Sequence, residues 1–291
     1  MADLLERAAP PAAPPPAARR TWKRRSWTTY LLRTVVITYL FFLVVWPVGL
    51  IVEETFAEGG DHLRVALEDE SVQAAFRLTA VVAAAAVVLN TVFGVGMSIL
   101  LVRYDFPGKR VLSALIDLPL SVSPVVVGLA LVLVYNGRDG WFGPWLEEHG
   151  FQIVFAPPGM IMATAFIALP LVIREVVPML EEVGVEQEQA AKSLGANAVQ
   201  TFRRITLPAI KWAVVYGVTL SLARSLGEFG AVKIVSGNFE GQTQTATLLV
   251  EQKYQDFEQS TAYAMSFLLA AVAVACIIVV TVLRPDTKDD R

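Results

Sequence analysis

Arg224 and Glu228 are the first residues of this chain that could do chemistry. They stand four apart in LSLARSLGEFGAVKIVSGN, so on a helix they share one face. A single charge near the middle of a bilayer costs about 2.5–3.5 kcal/mol on insertion scales, and the pair is therefore expected to face protein rather than lipid. Gly227 and Gly230 flank it and permit either close packing or a break. A break would turn backbone N–H groups toward an oxyanion, with Arg224 assisting and Gly227, Glu228, Phe229 and Gly230 lining the route. The other reading is a structural ion pair that locks neighbouring helices, because Glu228 neutralises much of the attraction of Arg224 for an anion. A second cluster, Asp117, Ser121 and Ser123, lies in DLPLSVSP. Pro119 and Pro124 kink or interrupt any helix there. The freed carbonyls need hydroxyls or water, which makes the segment a cavity lining or a packing kink.

A third stretch, 188–208, carries no reactive group but a fixed pattern, EQAAKSLGANAVQTFRRITLP. Ala190, Ala191 and Leu194 form one small-residue helical face. Gly195 stops that helix because it accepts a left-handed conformation. A second short run places Ala198, Phe202 and Ile205 together, and Pro208 is expected to end it and open the next apolar segment. Two short helices joined at a glycine, polar yet set between apolar segments, make a docking element for a partner. Small residues let that partner's backbone come close.

Other chemistries find no residues. Cys276 is the single cysteine, so an internal disulfide and a cysteine metal cluster are excluded. His62 and His149 fall in separate connections. Gly94-Val-Gly96 sits inside an apolar run with no strand before it, which suits helix packing rather than nucleotide binding. No phosphate-binding loop occurs, and no nucleophile stands beside either histidine.

The elements that must hold these residues are apolar helices. Of 291 residues 55% are hydrophobic, and the mean hydropathy is +0.53. Six segments, near 31–52, 74–101, 111–135, 157–178, 209–236 and 260–283, reach the roughly 20 residues that cross about 30 Å of hydrocarbon as helix. The chain therefore reads as an all-α polytopic membrane protein. Residues 1–30, rich in proline and then basic, read as a disordered tail. Residues 31–71 hold the first span, uncleaved, and an acidic external loop. Lys and Arg concentrate in the tail, in 102–110, in 181–208 and in 284–291, against Arg64, Arg138 and Lys253 in the opposite connections. By the positive-inside rule both termini and the docking loop are cytoplasmic. Arg174 and Glu175 lie near a cytoplasmic helix end, where snorkelling suffices for them. No internal repeat is visible, which argues mildly against inverted-repeat carriers and suits a half-transporter.

The 188–208 pattern resembles the EAA loop of ABC-importer permeases, Glu-Ala-Ala-x3-Gly-x9-Ile-x-Leu-Pro. Gly195, the nine-residue gap, Ile205, Leu207 and Pro208 fit; Gln189 stands where the family has Glu, with Glu188 one place earlier. From about Val72 to Leu283 the chain is similar to the core of type I ABC-importer permeases, with the coupling loop at 181–208. FPGKRVLSALIDLPLSVSPVVVGLALVLVYN, LPLVIREVVPMLEEVG and GEFGAVKIVSGNFEGQTQT resemble the W-type permeases of bacterial sulfate/thiosulfate importers. Molybdate permeases share the last stretch, so molybdate or tungstate is the alternative cargo. The resemblance implies a transport subunit rather than an enzyme, in the cytoplasmic (inner) membrane of a bacterium. Its partners would be a homologous T-type permease, two ATPase subunits that hold ATP and Mg2+, a periplasmic sulfate-binding protein and lipid, with no nucleic acid and no cofactor in this chain. It also implies ATPase coupling through Glu188, Gln189, Ala190, Ala191, Leu194, Gly195, Ala196, Phe202, Ile205 and Pro208. A passive or ion-coupled anion channel is the reading from another class; it leaves the 195–208 spacing unexplained. A membrane enzyme built on Arg224 and Glu228 lacks a nucleophile, metal set or cofactor motif.

Overall fold

Backbone in lipid must satisfy its own hydrogen bonds, and this chain does so with helix. The computed structural model describes residues 27–57 and 59–283, among which no strand occurs. The expected disorder of the N-terminal tail falls mostly on 1–26, and the second tail is 284–291; both lie outside the described residues. Residues 27–30, read from the sequence as tail, are already helical.

The chain divides into two compact units at Gly49. The first carries α1 (Trp27–Leu40), a π turn (Phe41–Val45) and the start of α2 (Trp46–Phe56), a continuous apolar helix. The second begins within α2 and holds everything else. The connection between α2 and α4 contains a two-turn helix, α3 (Asp61–Glu68), so His62 is helical rather than in a loop. Asp69 then caps α4 (Glu70–Arg103), accepting from the Ser71 amide at 2.8 Å and the Ser71 hydroxyl at 2.7 Å.

The third apolar segment is not a straight span. α5 (Lys109–Ser121) and α6 (Pro124–Tyr135) meet at an angle of 112°. Pro124 cannot continue the α5 ladder, so the chain leaves the helix at Val122 and restarts with proline in the first turn. Among the described residues five helices are long and apolar enough to cross a membrane, and six when this bent pair counts as one span. α7 (Gly143–Glu148) follows, then α8 (Pro157–Val183), which continues through Pro170 and Pro178. α9 (Glu186–Ser193) and α10 (Ala198–Thr201) form the loop expected from the sequence to dock a partner. The fifth expected span, 209–236, is broken: α11 (Leu207–Leu226) stops, and α12 (Gly230–Val235) restarts after Gly227, Glu228 and Phe229. α13 (Ala246–Gln255) and α14 (Gln259–Leu283) complete the chain.

Pro208 does not end a helix. A π turn, Phe202–Thr206, joins α10 to α11, and helix runs unbroken over Ala198–Leu226. The same device precedes Pro47, where Phe41–Val45 is the wide turn. In both places the extra residue makes room for the proline ring, which would otherwise press on the carbonyl four residues back.

α8 is the hub, packed against α4, α5, α6, α11 and α12. Its fully buried Val172 lies between two glycines. A Cβ on Gly94 of α4 would stand 2.9 Å from the Val172 Cγ1, and one on Gly217 of α11 would stand 2.9 Å from its Cα. Small residues thus let three backbones converge, the packing mode membranes favour. Gly96 has no such neighbour and faces outward. Only Gly94 of that pair serves helix packing.

Candidate functional site

The loop of α9 and α10 is built from local capping chemistry. Gly195 takes φ +87° after the end of α9. Its N–H bonds the Lys192 carbonyl at 3.0 Å, and the Ala196 N–H bonds the Ala191 carbonyl at 3.0 Å. Those two bonds are a Schellman closure, and they need a left-handed residue at 195. Asn197 then opens α10 with a capping box: its side chain accepts from the Gln200 amide at 2.9 Å, and the Gln200 side chain accepts from the Asn197 amide at 3.0 Å. Reversing the chain between two capped helices leaves Leu194 90% exposed and Val199 65% exposed. Gln189, Ala190 and Gly195 are exposed as well, while Ala191, Ala196, Phe202 and Ile205 are half-buried. Phe202 anchors the loop from below, against the cluster of Val95, Val172, Val176, Leu180 and Ile210.

Glu188 sits inside this element rather than on its outer surface. Its Oε1 lies 3.1 Å from Nη2 of Arg103 and accepts from the Thr206 hydroxyl at 3.0 Å. Arg103 closes α4, 85 residues away in sequence. Nothing in the spacing of 188–208 points to that partner.

The two helix breaks lie against one another. A Cβ on Gly230, at the start of α12, would stand 3.0 Å from Cβ of Pro124, at the start of α6. Glu228 occupies the break itself. Its Oε2 forms an ion pair with Nη1 of Arg224 at 2.7 Å, and its Oε1 accepts from the Ala231 amide at 3.0 Å. Its backbone carbonyl accepts from the Thr247 hydroxyl at 2.8 Å. The carboxylate is 2% exposed and the guanidinium side chain 39%. The N–H group that a break frees is therefore answered by the chain's own carboxylate. Ser121, Ser123, Asp117 and Gly227 are exposed, on surface this chain leaves uncovered. Arg174 does not simply snorkel: its Nε donates to Oδ1 of Asp117 at 3.0 Å and ties α8 to α5.

Several buried polar groups near the breaks escape a reading of the sequence. Asn90 of α4 donates to Ser221 of α11 at 3.5 Å. Thr79 accepts from the Ala246 amide at 2.8 Å at the start of α13. Gln244 is buried and donates to Gln252. A lone Asn in an apolar run is a signal for an interhelical bond. The three-residue step from Glu228 to Ala231 is the signal for a cap. Among the described residues no group of three or more His, Cys, Asp or Glu could hold a metal ion.

The chain is thus a set of apolar helices with two breaks and a capped, exposed loop between α8 and α11. Residues 90–287 match the family described as binding-protein-dependent transport system inner membrane component, and the chain belongs to that family. It is 45% identical over 249 residues to the sulfate transport system permease protein CysW of Synechococcus elongatus, covering 86% of this chain and 87% of that one. It is 40% identical over 243 residues to CysW of Escherichia coli, covering 84% and 83%. The fold matches that of a bacterial ABC transporter involved in the import of the acidic polysaccharide alginate, with a TM-score of 0.74 at 16% identity over 89% of this chain and 95% of that one. The resemblance carried by 188–208 and by the longer stretches is to this same family.

Proposed function

We propose that this chain is a W-type permease subunit of an ATP-driven importer that carries sulfate, and with it thiosulfate, across the cytoplasmic membrane. It is a transport subunit and not an enzyme. The observation that carries the cargo is the 40–45% identity, over more than four fifths of both chains, to two proteins that bear the sulfate permease name. The alginate importer supports the architecture alone.

α9 and α10 are the segment that engages an ATPase subunit, with Leu194 and Val199 as the exposed apolar contacts. ATP and Mg2+ belong to that subunit. The exposed face of Ser121, Ser123, Asp117 and Gly227 meets a homologous T-type permease, and the anion passes between the two. Arg224 and Glu228 act first as a structural pair that holds the break open at a fixed shape. Selection among tetrahedral oxyanions then falls to the periplasmic binding protein. The distribution of Lys and Arg supports cytoplasmic termini and a cytoplasmic docking loop.

The test is the ATPase activity of the complex reconstituted with its partner permease, ATPase subunits and binding protein. Stimulation by sulfate at concentrations well below those of molybdate is expected. Preference for molybdate would overturn the cargo and keep the architecture. Sulfate flux without ATP would overturn the coupled mechanism.

A further inference from the structure

α9 has almost no hydrophobic support. None of its residues is buried, and an open cleft of about 410 Å³ is lined by its Glu188, Gln189 and Lys192 on one side and by Ile99, Thr201 and Phe202 on the other. Apolar packing cannot fix its position, so polar contacts must. They converge on Arg103. Its Nε stands 3.3 and 3.2 Å from the two oxygens of Glu188, and Nη2 reaches Oε1 at 3.1 Å. The same Nη2 donates to the Gly184 carbonyl at 2.7 Å, and Nη1 donates to the Leu180 carbonyl at 3.1 Å. The two carbonyls belong to the end of α8, where a helix leaves acceptors unpaired and favours a cation. Thr206, in the π turn before α11, donates to the same Oε1 of Glu188. One guanidinium thus joins α4, the end of α8, α9 and, through Glu188, the root of α11. The side chains of Arg103 and Glu188 are 10% and 14% exposed, which spares the pair most of the screening that weakens surface ion pairs.

We propose that Arg103 is the positioning residue that makes the docking loop and the membrane bundle move as one body. Without it α9 would shift over its cleft when the ATPase pulls, and the stroke would be spent in the loop. The planar fork is required, since it meets a carboxylate and two carbonyls at once. An ammonium is a point charge on a flexible stem and cannot hold all three in one plane. The proposal rests on the reading of α9 and α10 as the ATPase-facing loop.

The experiment places spin labels at Leu194 and at Val92, both exposed, the second on α4, in a Cys276→Ser background. Distances are measured in the reconstituted permease pair, then with ATPase subunits in nucleotide-free and vanadate-trapped states. Native Arg103 is expected to give one narrow distance in every state. Arg103→Lys and Arg103→Gln are expected to broaden it. Sulfate moved per ATP hydrolysed should fall about 2- to 30-fold, the span of coupling changes of 0.5–2 kcal/mol. Glu188→Gln, which keeps the acceptor and loses the charge, should fall between native and Arg103→Gln. Unchanged narrow distances and an unchanged sulfate-to-ATP ratio in assembled variants would overturn the proposal. Failure of all three variants to assemble would assign Arg103 to folding alone and overturn it equally. Failure of the docking reading looks different: the label at Leu194 would not be immobilised when ATPase subunits are added, whatever the distance does.

Discussion

Exchanging Arg224 for Met keeps most of the side-chain volume and strands a carboxylate. Glu228 is 2% exposed, and its counter-ion at 2.7 Å would be gone. Breaking a buried pair from one side in this way costs about 3–5 kcal/mol. For a domain of this size that corresponds to a fall in Tm of about 6–20 °C, taking 2–4 °C per kcal/mol. The opposite change, Glu228→Gln, is far milder. The amide oxygen still accepts from the Ala231 N–H, and Arg224, 39% exposed, keeps access to water. Its cost is about 1 kcal/mol, close to that of a partly exposed pair, or 2–4 °C. The double variant should recover most of the loss of Arg224→Met, because no charge is left buried. Thermal unfolding of the assembled, detergent-solubilised complex, followed by size-exclusion fluorescence, measures all three. Arg224→Met no more damaging than Glu228→Gln, or a double variant as unstable as Arg224→Met, would refute the account of this pair as a structural device. A normal Tm with lost transport in Arg224→Met would move Arg224 to the anion route.

Gly195→Ala meets no atom within 4 Å of the added methyl, but it strains a left-handed residue by roughly 1–2 kcal/mol and should lower Tm by about 2–8 °C; sulfate-stimulated ATPase should drop while the complex still assembles. Gly94→Ala should destabilise through contact with Val172, and Val172→Ala should relieve only part of it, because the Val172 Cβ also stands 3.0 Å from the added methyl; Gly96→Ala, with open space around it, should be neutral or slightly stabilising, all read by melting. The Ser71 hydroxyl outweighs the opposing effect of burial and holds Asp69 below the ordinary 3.8, so the cap's contribution is full above that pH and fades as pH falls through the depressed value; Asp69→Asn should flatten the acid limb of a stability profile. Glu258 raises Lys253 above the ordinary 10.5, so its contribution holds below that pH and is lost as pH climbs through the raised value; Lys253→Met should flatten the alkaline limb.

Hydropathy made the helices legible because lipid leaves backbone no alternative, and the apolar segments near 74–101 and 157–178 correspond to α4 and α8. Gly195 was legible for the same kind of reason: one residue type satisfies its φ. The breaks at 122–123 and 227–229 were visible as proline and glycine, but the 112° angle depends on how α12 seats against α6, through Gly128 and Gly230. The fork of Arg103 was invisible. A basic residue at the end of a span reads as an orientation signal, and only folding brings Glu188 to it across 85 positions. Pro208 misled because a wide turn, which has no sequence signature, can carry a helix past a proline.

That wide turn has a mechanical consequence. Helix is continuous from Ala198, in the loop proposed to dock the ATPase, to Leu226, beside the break at Gly227. At 1.5 Å per residue its 29 residues form a lever about 44 Å long. Tilting it by about 5° around the docking end swings the far end by roughly 4 Å, a large displacement beside a break packed on Pro124. Had the chain stopped at Pro208 and begun afresh, the same push would have been absorbed at a hinge near the membrane surface. The π turn lets the proline stay and keeps the arm whole.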